Sequence, residues 1–199
     1  MSWRDRITKI MTSGLPMDEA SRMARATEQG FTRNAYRGEG VPIEGTAFRE
    51  HHPARYDPGF LGGDAIYATN APRIANDYTI FKAYREAEPA PNVMPLKVKL
   101  DNPHVITGDE KANIAKMDRF DRDDWLRDKY KQGHDGVLVK YPGGYEEYVA
   151  PATNFRSRFA AFDPANATGR DLLGSVTGMA AVPAGIGALV DQSSYGERQ

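Results

Sequence analysis

Short apolar segments that end at glycine or proline constrain the fold of this chain more than any other feature. Apolar segments bounded by glycine or proline are typical of strands, and these boundaries limit each strand to a few residues. Six segments are predicted as strands: residues 34–38, 65–69, 93–100, 136–141, 146–149 and 156–162. Helical patterns predominate early in the chain and strands late, so we expect a mixed α+β domain.

Apolar residues at helical spacing predict the helices between these strands. The first covers residues 16–29, with Pro16 in its first turn and Gly30 just beyond its end. A second covers residues 72–87, and either Thr69 or Asn70 is its predicted cap. Asp109 is predicted to cap a short third helix, and a fourth covers residues 121–132 and ends at Gly133.

Composition excludes several kinds of site. The 199 residues include 26 Lys+Arg and 27 Asp+Glu, for a formal net charge of −1, so the sequence lacks the basic excess of a nucleic-acid-binding protein. There is no cysteine, which excludes disulfides, thiolate zinc sites and a cysteine nucleophile. The four histidines, His51, His52, His104 and His134, lack metal-ligand spacing, so no metal site is predicted.

The two ends of the chain differ in character. The N-terminal residues are charged and lack the apolar run of a secretory signal. Residues 172–190, from Leu172 to Val190, carry no charge and are rich in alanine and glycine. We favour a loosely packed, flexible tail there; the alternative is membrane contact, to which the Gly174 and Gly178 spacing adds a weak signal. Residues 192–199 are predicted to be disordered.

Three pieces of the sequence combine residue types that carry chemistry. They are Tyr36-Arg37-Gly38, the segment Ile66-Tyr67-Ala68-Thr69 with Tyr78 eleven residues after Tyr67, and Glu146-Glu147-Tyr148-Val149. Taken singly, an arginine beside glycine is commonly a surface residue, two tyrosines are commonly core aromatics, and a glutamate pair is commonly exposed. The order and spacing of all three together favour a functional site.

This order resembles the ADP-ribosyltransferase fold. The spacing of Tyr67 and Tyr78 matches the two-tyrosine segment of the diphtheria-toxin and poly(ADP-ribose) polymerase branch, and Glu147 matches the glutamate of its late strand. Arg37 stands where that branch has histidine, as is typical of the toxin-like Arg-Ser-Glu branch.

Over residues 34–166 the chain is most similar to the ADP-ribosyltransferase-like domains of phage polyvalent proteins. The resemblance extends through Leu-Lys-Val-Lys-Leu-Asp-Asn-Pro, Gly-His-Asp-Gly-Val and Phe-Asp-Pro-Ala-Asn. It implies an α+β fold of two small packed antiparallel or mixed sheets around an NAD cleft, with flanking helices. The implied division is an N-terminal helical segment (1–33), the domain (34–166) and a small-residue tail (167–199).

The implied function is that of a mono-ADP-ribosyltransferase, an NAD-dependent enzyme of the glycosyltransferase class. NAD would be its substrate and a host protein its acceptor, with action in the host cytoplasm as a phage- or toxin-type effector. Breaking the bond between nicotinamide and ribose builds positive charge on the ribose, so positioning and electrostatics carry the catalysis.

Glu147 is the candidate catalytic carboxylate, acting on the ribose 2′-OH. Strand alternation puts Glu146 on the opposite face, so only one of the pair can serve. Thr69 would hydrogen-bond and orient Glu147, as a Ser-Thr-Ser segment does in the toxin branch; its alternative role is to cap the following helix.

Four further residues are candidates for binding NAD. Tyr67 and Tyr78 offer flat rings that could sandwich nicotinamide. Arg37 offers a rigid fork for a phosphate or a ribose hydroxyl. Gly38 would let the dinucleotide approach the backbone closely.

Several alternatives stay open from the sequence. Tyr145 stands where arginine-directed relatives have a second glutamate, so the acceptor is undefined. A loop over residues 39–63, with His51, His52, Arg55 and Tyr56, could cover NAD or contact the acceptor. The same site could serve an NAD glycohydrolase, and a degenerate transferase fold could serve only as a binding or virion module. Arg156 and Arg158 are predicted to lie on the outward side of the last strand.

Overall fold

A computed structural model of the chain describes residues 14–40, 65–83, 91–168 and 172. These residues form seven strands, four α-helices and two short 3₁₀ turns. The strands are β1 (Arg33–Glu39), β2 (Ala65–Thr69), β3 (Asn92–Val98), β4 (His104–Ile106), β5 (Val137–Lys140), β6 (Glu146–Pro151) and β7 (Phe155–Ser157). The helices are α1 (Glu19–Glu28), α2 (Pro72–Ala83), α3 (Gly108–Lys116) and α4 (Arg119–Lys131), and the 3₁₀ turns are Ala152–Asn154 and Pro164–Asn166.

All seven strands belong to one sheet, in the order β4-β5-β6-β2-β1-β3-β7. Every pairing is antiparallel except β4 with β5, which is parallel. The α+β class is therefore confirmed, but the described strands form a single sheet rather than the two sheets expected. The two halves meet between β1 and β2 at the register pair Tyr36 and Thr69, which makes the sheet continuous.

Both faces of the central strands are buried. On one face Leu138 and Ala150 pack with Leu96 of β3 and Phe155 of β7. On the other face Val137, Val139 and Val149 pack beneath the helices α3 and α4, which contribute Ile114 and Leu126. This double cover explains why β5 is a continuous apolar run rather than an alternating one.

Three helices start at positions other than the predicted ones, and a capping side chain accounts for two of these starts. The helix α1 begins at Glu19 because the Asp18 side chain accepts a hydrogen bond from the Ser21 N–H at 2.9 Å; it ends as predicted before Gly30, which has φ +85°. The helix α3 follows Thr107 rather than Asp109. The helix α4 begins at Arg119 because Asp118 caps it.

The last predicted strand, residues 156–162, is wrong over most of its length. The strand β7 ends at Ser157, and the chain turns there through a hydrogen bond from the Ala160 N–H to the Ser157 carbonyl. Phe162 then adopts φ +49°, which no extended strand allows.

The prediction that Arg156 faces outward is also wrong. Its side chain is among the most buried in the protein at 1% exposure, and it donates to the carbonyls of Thr153, Phe155 and Ala167. Its guanidinium also lies 5.3 Å from the ring centroid of Phe31. Arg158, by contrast, is half exposed and pairs with Glu19 at 2.6 Å.

None of the predicted strands covers β4. It pairs in parallel with β5, with His104 opposite Val137. A parallel pair needs a long crossover connection, and α3 and α4 supply it.

The segment before β1 is packed onto the rest of the domain. Arg25 and Gln29 of α1 donate to the carbonyls of Ala161 and Phe162, at 2.9 Å and 2.6 Å. Ala26 and Phe31 complete a small apolar cluster with Phe162. The segment before β1 is therefore held to the domain by the residues that follow β7.

Leu172 is buried at 3% exposure and its carbonyl accepts a hydrogen bond from the Ser157 N–H at 2.7 Å, so a loosely packed tail does not begin at this residue. The remainder of the predicted tail, the first 13 residues and the predicted loop beyond residue 40 lie outside the described residues. Among the helices that the structure describes, none has the length and hydropathy needed to cross a membrane.

Candidate active site

One row of residues crosses the sheet where its two halves meet. Tyr36 of β1 lies opposite Thr69 of β2, and Thr69 lies opposite Glu147 of β6. Val139 of β5 continues the row beyond Glu147. Directly opposed residues in antiparallel strands share a face, so these side chains stand on the same side of the sheet.

The Glu147 carboxylate is buried within this row, at 7% exposure. Its Oε1 accepts a hydrogen bond from the Tyr78 hydroxyl at 3.4 Å, and its Oε2 accepts one from the Tyr141 hydroxyl at 2.5 Å. Glu146 points to the other face, where it accepts from the Tyr148 hydroxyl at 2.9 Å. The predicted separation of the two glutamates is confirmed.

The helix α2 brings Tyr78 to Glu147. The Thr69 hydroxyl accepts a hydrogen bond from the Ala71 N–H at 3.1 Å, just before the helix begins at Pro72. Thr69 therefore satisfies a backbone donor at the helix start, as in the capping role considered from the sequence. Its backbone pairing with Glu147 nevertheless fixes the position of the carboxylate along the sheet.

Gly38 serves a packing role. A Cβ built at Gly38 would lie 2.0 Å from the Ala75 carbonyl oxygen and 2.9 Å from Cγ2 of Thr79. The helix α2 therefore occupies the space that a side chain at position 38 would need. The glycine is needed because α2 packs against β1 closely enough to exclude any side chain.

Arg37 follows Tyr36 in β1 and is therefore outside the row that contains Glu147. Because side chains alternate along a strand, the Arg37 side chain leaves the backbone on the face opposite to Tyr36. The guanidinium is buried at 5% exposure, and it donates through Nε to the Glu39 carboxylate and through Nη1 to the Tyr67 carbonyl at 3.0 Å. Arg37 thus joins β1 to β2 at the junction between the two halves of the sheet.

Tyr67 stands two residues before Thr69 and therefore shares the Glu147 face. It is half-buried and packs against the apolar cluster that contains Val137 and Val149. The structure thus brings Tyr67, Thr69, Tyr78 and Glu147 to one face of the sheet. Arg37 bonds to Glu39 and to the Tyr67 carbonyl, and Gly38 packs against α2.

Three residues that the sequence analysis did not assign to the site surround Glu147. Tyr141 donates to the carboxylate, and its ring stacks on that of Tyr145 with centroids 4.2 Å apart. The Lys111 Nζ lies 3.5 Å from the Tyr141 ring centroid. Val139 of β5 lies opposite Glu147 in the hairpin, and Tyr141 follows Val139 by two residues. Strand alternation therefore predicts that Tyr141 lies on the same face as Glu147.

Burial and the nearby carboxylate alter the acid–base behaviour of these neighbours. Burial raises the pKa of the Tyr141 hydroxyl, and the hydrogen bond to Glu147 and the charge of Glu147 raise it further. Tyr141 is therefore protonated at neutral pH and is a permanent donor to Glu147. Burial lowers the pKa of Lys111, while the charge of Glu147 acts in the opposite direction.

The Glu147 carboxylate is thus buried and accepts hydrogen bonds from the hydroxyls of Tyr78 and Tyr141. The half-buried residues Tyr67 and Tyr145 and the Lys111 ammonium belong to the same arrangement. Each oxygen of an ionised carboxylate can accept more than one hydrogen bond, so both oxygens retain capacity for a ligand hydroxyl. Such a group stabilises positive charge that develops on a bound molecule.

Within the described ranges no three histidine, aspartate or glutamate side chains stand close enough together to hold a metal ion. His51 and His52 lie outside those ranges. Comparison of the chain with protein-family models, with curated proteins and with solved structures finds no match.

Proposed function

We propose that this protein is an NAD-dependent mono-ADP-ribosyltransferase with Glu147 as its catalytic carboxylate. The observation that supports this most directly is the buried Glu147 side chain, which shares one sheet face with Thr69, Tyr67 and Tyr78. These are four of the residues that carry the resemblance to the ADP-ribosyltransferase fold, and they come from three separate elements.

The proposed reaction breaks the bond between nicotinamide and C1′ of the ribose. Nicotinamide leaves with the bonding electrons, and the ribose acquires oxocarbenium character. A carboxylate that accepts a hydrogen bond from the ribose 2′-OH stabilises this charge more in the transition state than in the ground state. Glu147 has the charge and burial for this role, because low exposure strengthens its interaction with a developing cation.

The aromatic rings of Tyr67 and Tyr78 suit the nicotinamide end of NAD. Both residues are half-buried rather than fully enclosed. Offset stacking of a planar ring on an aromatic side chain contributes about 0.5–1.5 kcal/mol beyond burial. The Tyr78 hydroxyl contacts Glu147 at 3.4 Å, so a nicotinamide against this ring would place its ribose beside the carboxylate.

Arg37 is assigned to a ribose hydroxyl rather than to the diphosphate. Its contact with the Tyr67 carbonyl puts the guanidinium beside the strand that carries Tyr67 and Thr69. The Glu39 carboxylate that pairs with it is also buried, at 9% exposure, and would repel a diphosphate. A neutral hydroxyl carries no such penalty.

The acceptor is proposed to be a host protein, and the site of action the host cytoplasm. The resemblance to phage polyvalent proteins supports both. Tyr145, whose ring stacks on Tyr141, supplies no carboxylate at the position where arginine-directed relatives have one, which favours an acceptor other than arginine.

The test is NAD consumption by the purified protein, with labelled NAD and host lysate as the source of acceptor. Glu147→Gln should lower the rate of nicotinamide release by about 10²–10³-fold, the effect of removing one preorganised electrostatic group. Glu146→Gln is the matched control, because it makes the same change on the opposite face of the same strand. It should retain the rate of the unmodified protein.

The destination of the label separates the alternatives. Label on a protein supports the transferase, whereas free ADP-ribose without labelled protein indicates a glycohydrolase. Failure to bind NAD in calorimetry would indicate a module that has lost catalysis. Equal rates for Glu147→Gln and Glu146→Gln would contradict the role given to Glu147.

A further inference from the structure

The two oxygens of Glu147 are held in unequal ways. Oε2 accepts a hydrogen bond of 2.5 Å from Tyr141, while Oε1 accepts one of 3.4 Å from Tyr78, near the outer limit for such a bond. The position of Tyr141 is itself fixed from several sides. Its ring lies between Tyr145 and the Lys111 ammonium, and its backbone N–H donates to the Tyr145 carbonyl at 3.1 Å.

We propose that Tyr141 is a positioning residue that anchors Glu147 through Oε2 and leaves Oε1 as the oxygen that receives the ribose 2′-OH. This inference rests on the proposed function. The long bond from Tyr78 is the one that a ligand hydroxyl can replace at least cost, because a hydrogen bond weakens as it lengthens. The incoming hydroxyl and Tyr141 then donate to different oxygens and do not compete.

Lys111 reinforces the anchor. A cation over the face of an aromatic ring is attracted by the ring quadrupole, and at 3.5 Å from the centroid Lys111 is well within range. Its charge draws electron density from the phenol and makes the hydroxyl a stronger donor. Chains of polar groups polarise one another in this way in a low-dielectric interior. The helix α3, which carries Lys111, thereby acts on Glu147 through Tyr141.

The experiment compares two tyrosine-to-phenylalanine variants for nicotinamide release from NAD. Tyr141→Phe removes the donor to Glu147, and Tyr148→Phe removes the donor to Glu146 on the opposite face of the sheet. Both lose one hydroxyl that is bonded to a glutamate, so a general loss of stability affects them alike. Tyr141→Phe should lower kcat about tenfold with little change in KM, while Tyr148→Phe retains the kcat of the unmodified protein.

A pair of Lys111 variants adds a readout that a purely structural role would not move. Lys111→Met should lower kcat, because it removes the charge over the Tyr141 ring. Lys111→Arg, which keeps the charge over the ring, should restore most of the kcat.

The outcomes separate this inference from the proposed function. An active protein in which Tyr141→Phe and Tyr148→Phe have equal kcat values would overturn the positioning role alone. A tenfold rise in KM at constant kcat would also overturn it, because Tyr141 would then act in binding. A chain that neither binds nor consumes NAD would overturn the proposed function and this inference together.

Discussion

Substitution of Gly38 by alanine should destabilise the protein and disturb Glu147 at the same time. An added Cβ would lie 2.0 Å from the Ala75 carbonyl oxygen, whereas ordinary contacts begin at 3.4 Å. The obstruction is backbone of α2, so it cannot be relieved by a side-chain rotation. The helix would have to retreat from β1 by about 1.4 Å, the difference between these two distances.

Overpacking of this kind costs typically 1–3 kcal/mol, and a backbone obstruction belongs at the upper end, about 3 kcal/mol. In a chain of 199 residues each kcal/mol lowers Tm by about 2–4 °C, so Gly38→Ala should lower Tm by about 6–12 °C. Because α2 carries Tyr78, the retreat would also lengthen the 3.4 Å contact with Glu147 beyond hydrogen-bond range.

Thermal and urea unfolding measure the effect, with Gly133→Ala as the control. Gly133 has φ +91° and nothing within 4 Å of a built Cβ, so alanine there meets backbone strain without a clash, at a cost of about 1 kcal/mol. A Tm for Gly38→Ala equal to that of Gly133→Ala would refute the close packing of α2 on β1. Addition of NAD should raise the Tm of Gly38→Ala by less than it raises the Tm of the unmodified protein.

Two other predictions concern buried polar groups. Arg156→Met should lower the free energy of unfolding by about 3 kcal/mol, because three carbonyls lose their donor. Arg158→Met, at a half-exposed site, should lower it by under about 1 kcal/mol. An equal loss for the two variants in urea unfolding would contradict the burial of Arg156. Burial raises the pKa of Tyr130 and of Tyr148 to about 12, so both should ionise late in an absorbance titration at alkaline pH. The unfolded chain loses these protons near pH 10 while the folded chain keeps them, so the stability that the two tyrosines contribute should be constant below pH 10 and be lost between about pH 10 and 12. Ionisation of every tyrosine at pH 10 in the folded protein would contradict this.

Local signals explain which parts of the fold the sequence predicts well. The strand Ala65–Thr69 is predicted with its observed bounds, and the hairpin around Pro142-Gly143-Gly144 follows from its turn, where both glycines have positive φ. The pattern at residues 156–162 misleads because the environment of Arg156 is non-local: the Phe31 ring and the Ala167 carbonyl that surround it belong to distant parts of the chain. The three-residue strand β4 is too short to give a pattern of its own, and its partner lies beyond two helices.

In the candidate site, too, some residues follow from local sequence patterns and others depend on distant parts of the chain. The resemblance makes Glu147, Tyr67 and Tyr78 candidates, and the structure brings them to one side of the sheet. Strand alternation predicts the observed separation of Glu147 from Glu146. Tyr141 was within reach of the sequence, because a tight hairpin fixes which residues of β5 oppose those of β6. Lys111 was not, since nothing local to α3 indicates that this helix packs beside Tyr141.

The junction between the two halves of the sheet is the feature on which the site depends. Glu147 belongs to the half that contains β5 and β6, whereas Tyr78 is held by α2, which packs on β1 of the other half. The halves share the register pair Tyr36 and Thr69, and the Arg37 guanidinium adds a side-chain bond across the same junction. A change in the angle at this junction would alter the distance from Tyr78 to Glu147 and leave the Tyr141 contact intact, because Tyr141 and Glu147 lie in one hairpin. The hydrogen bond to Oε2 therefore stays within one half of the sheet, whereas the hydrogen bond to Oε1 joins the two halves and depends on the angle between them; it is the contact that the proposed ligand would replace.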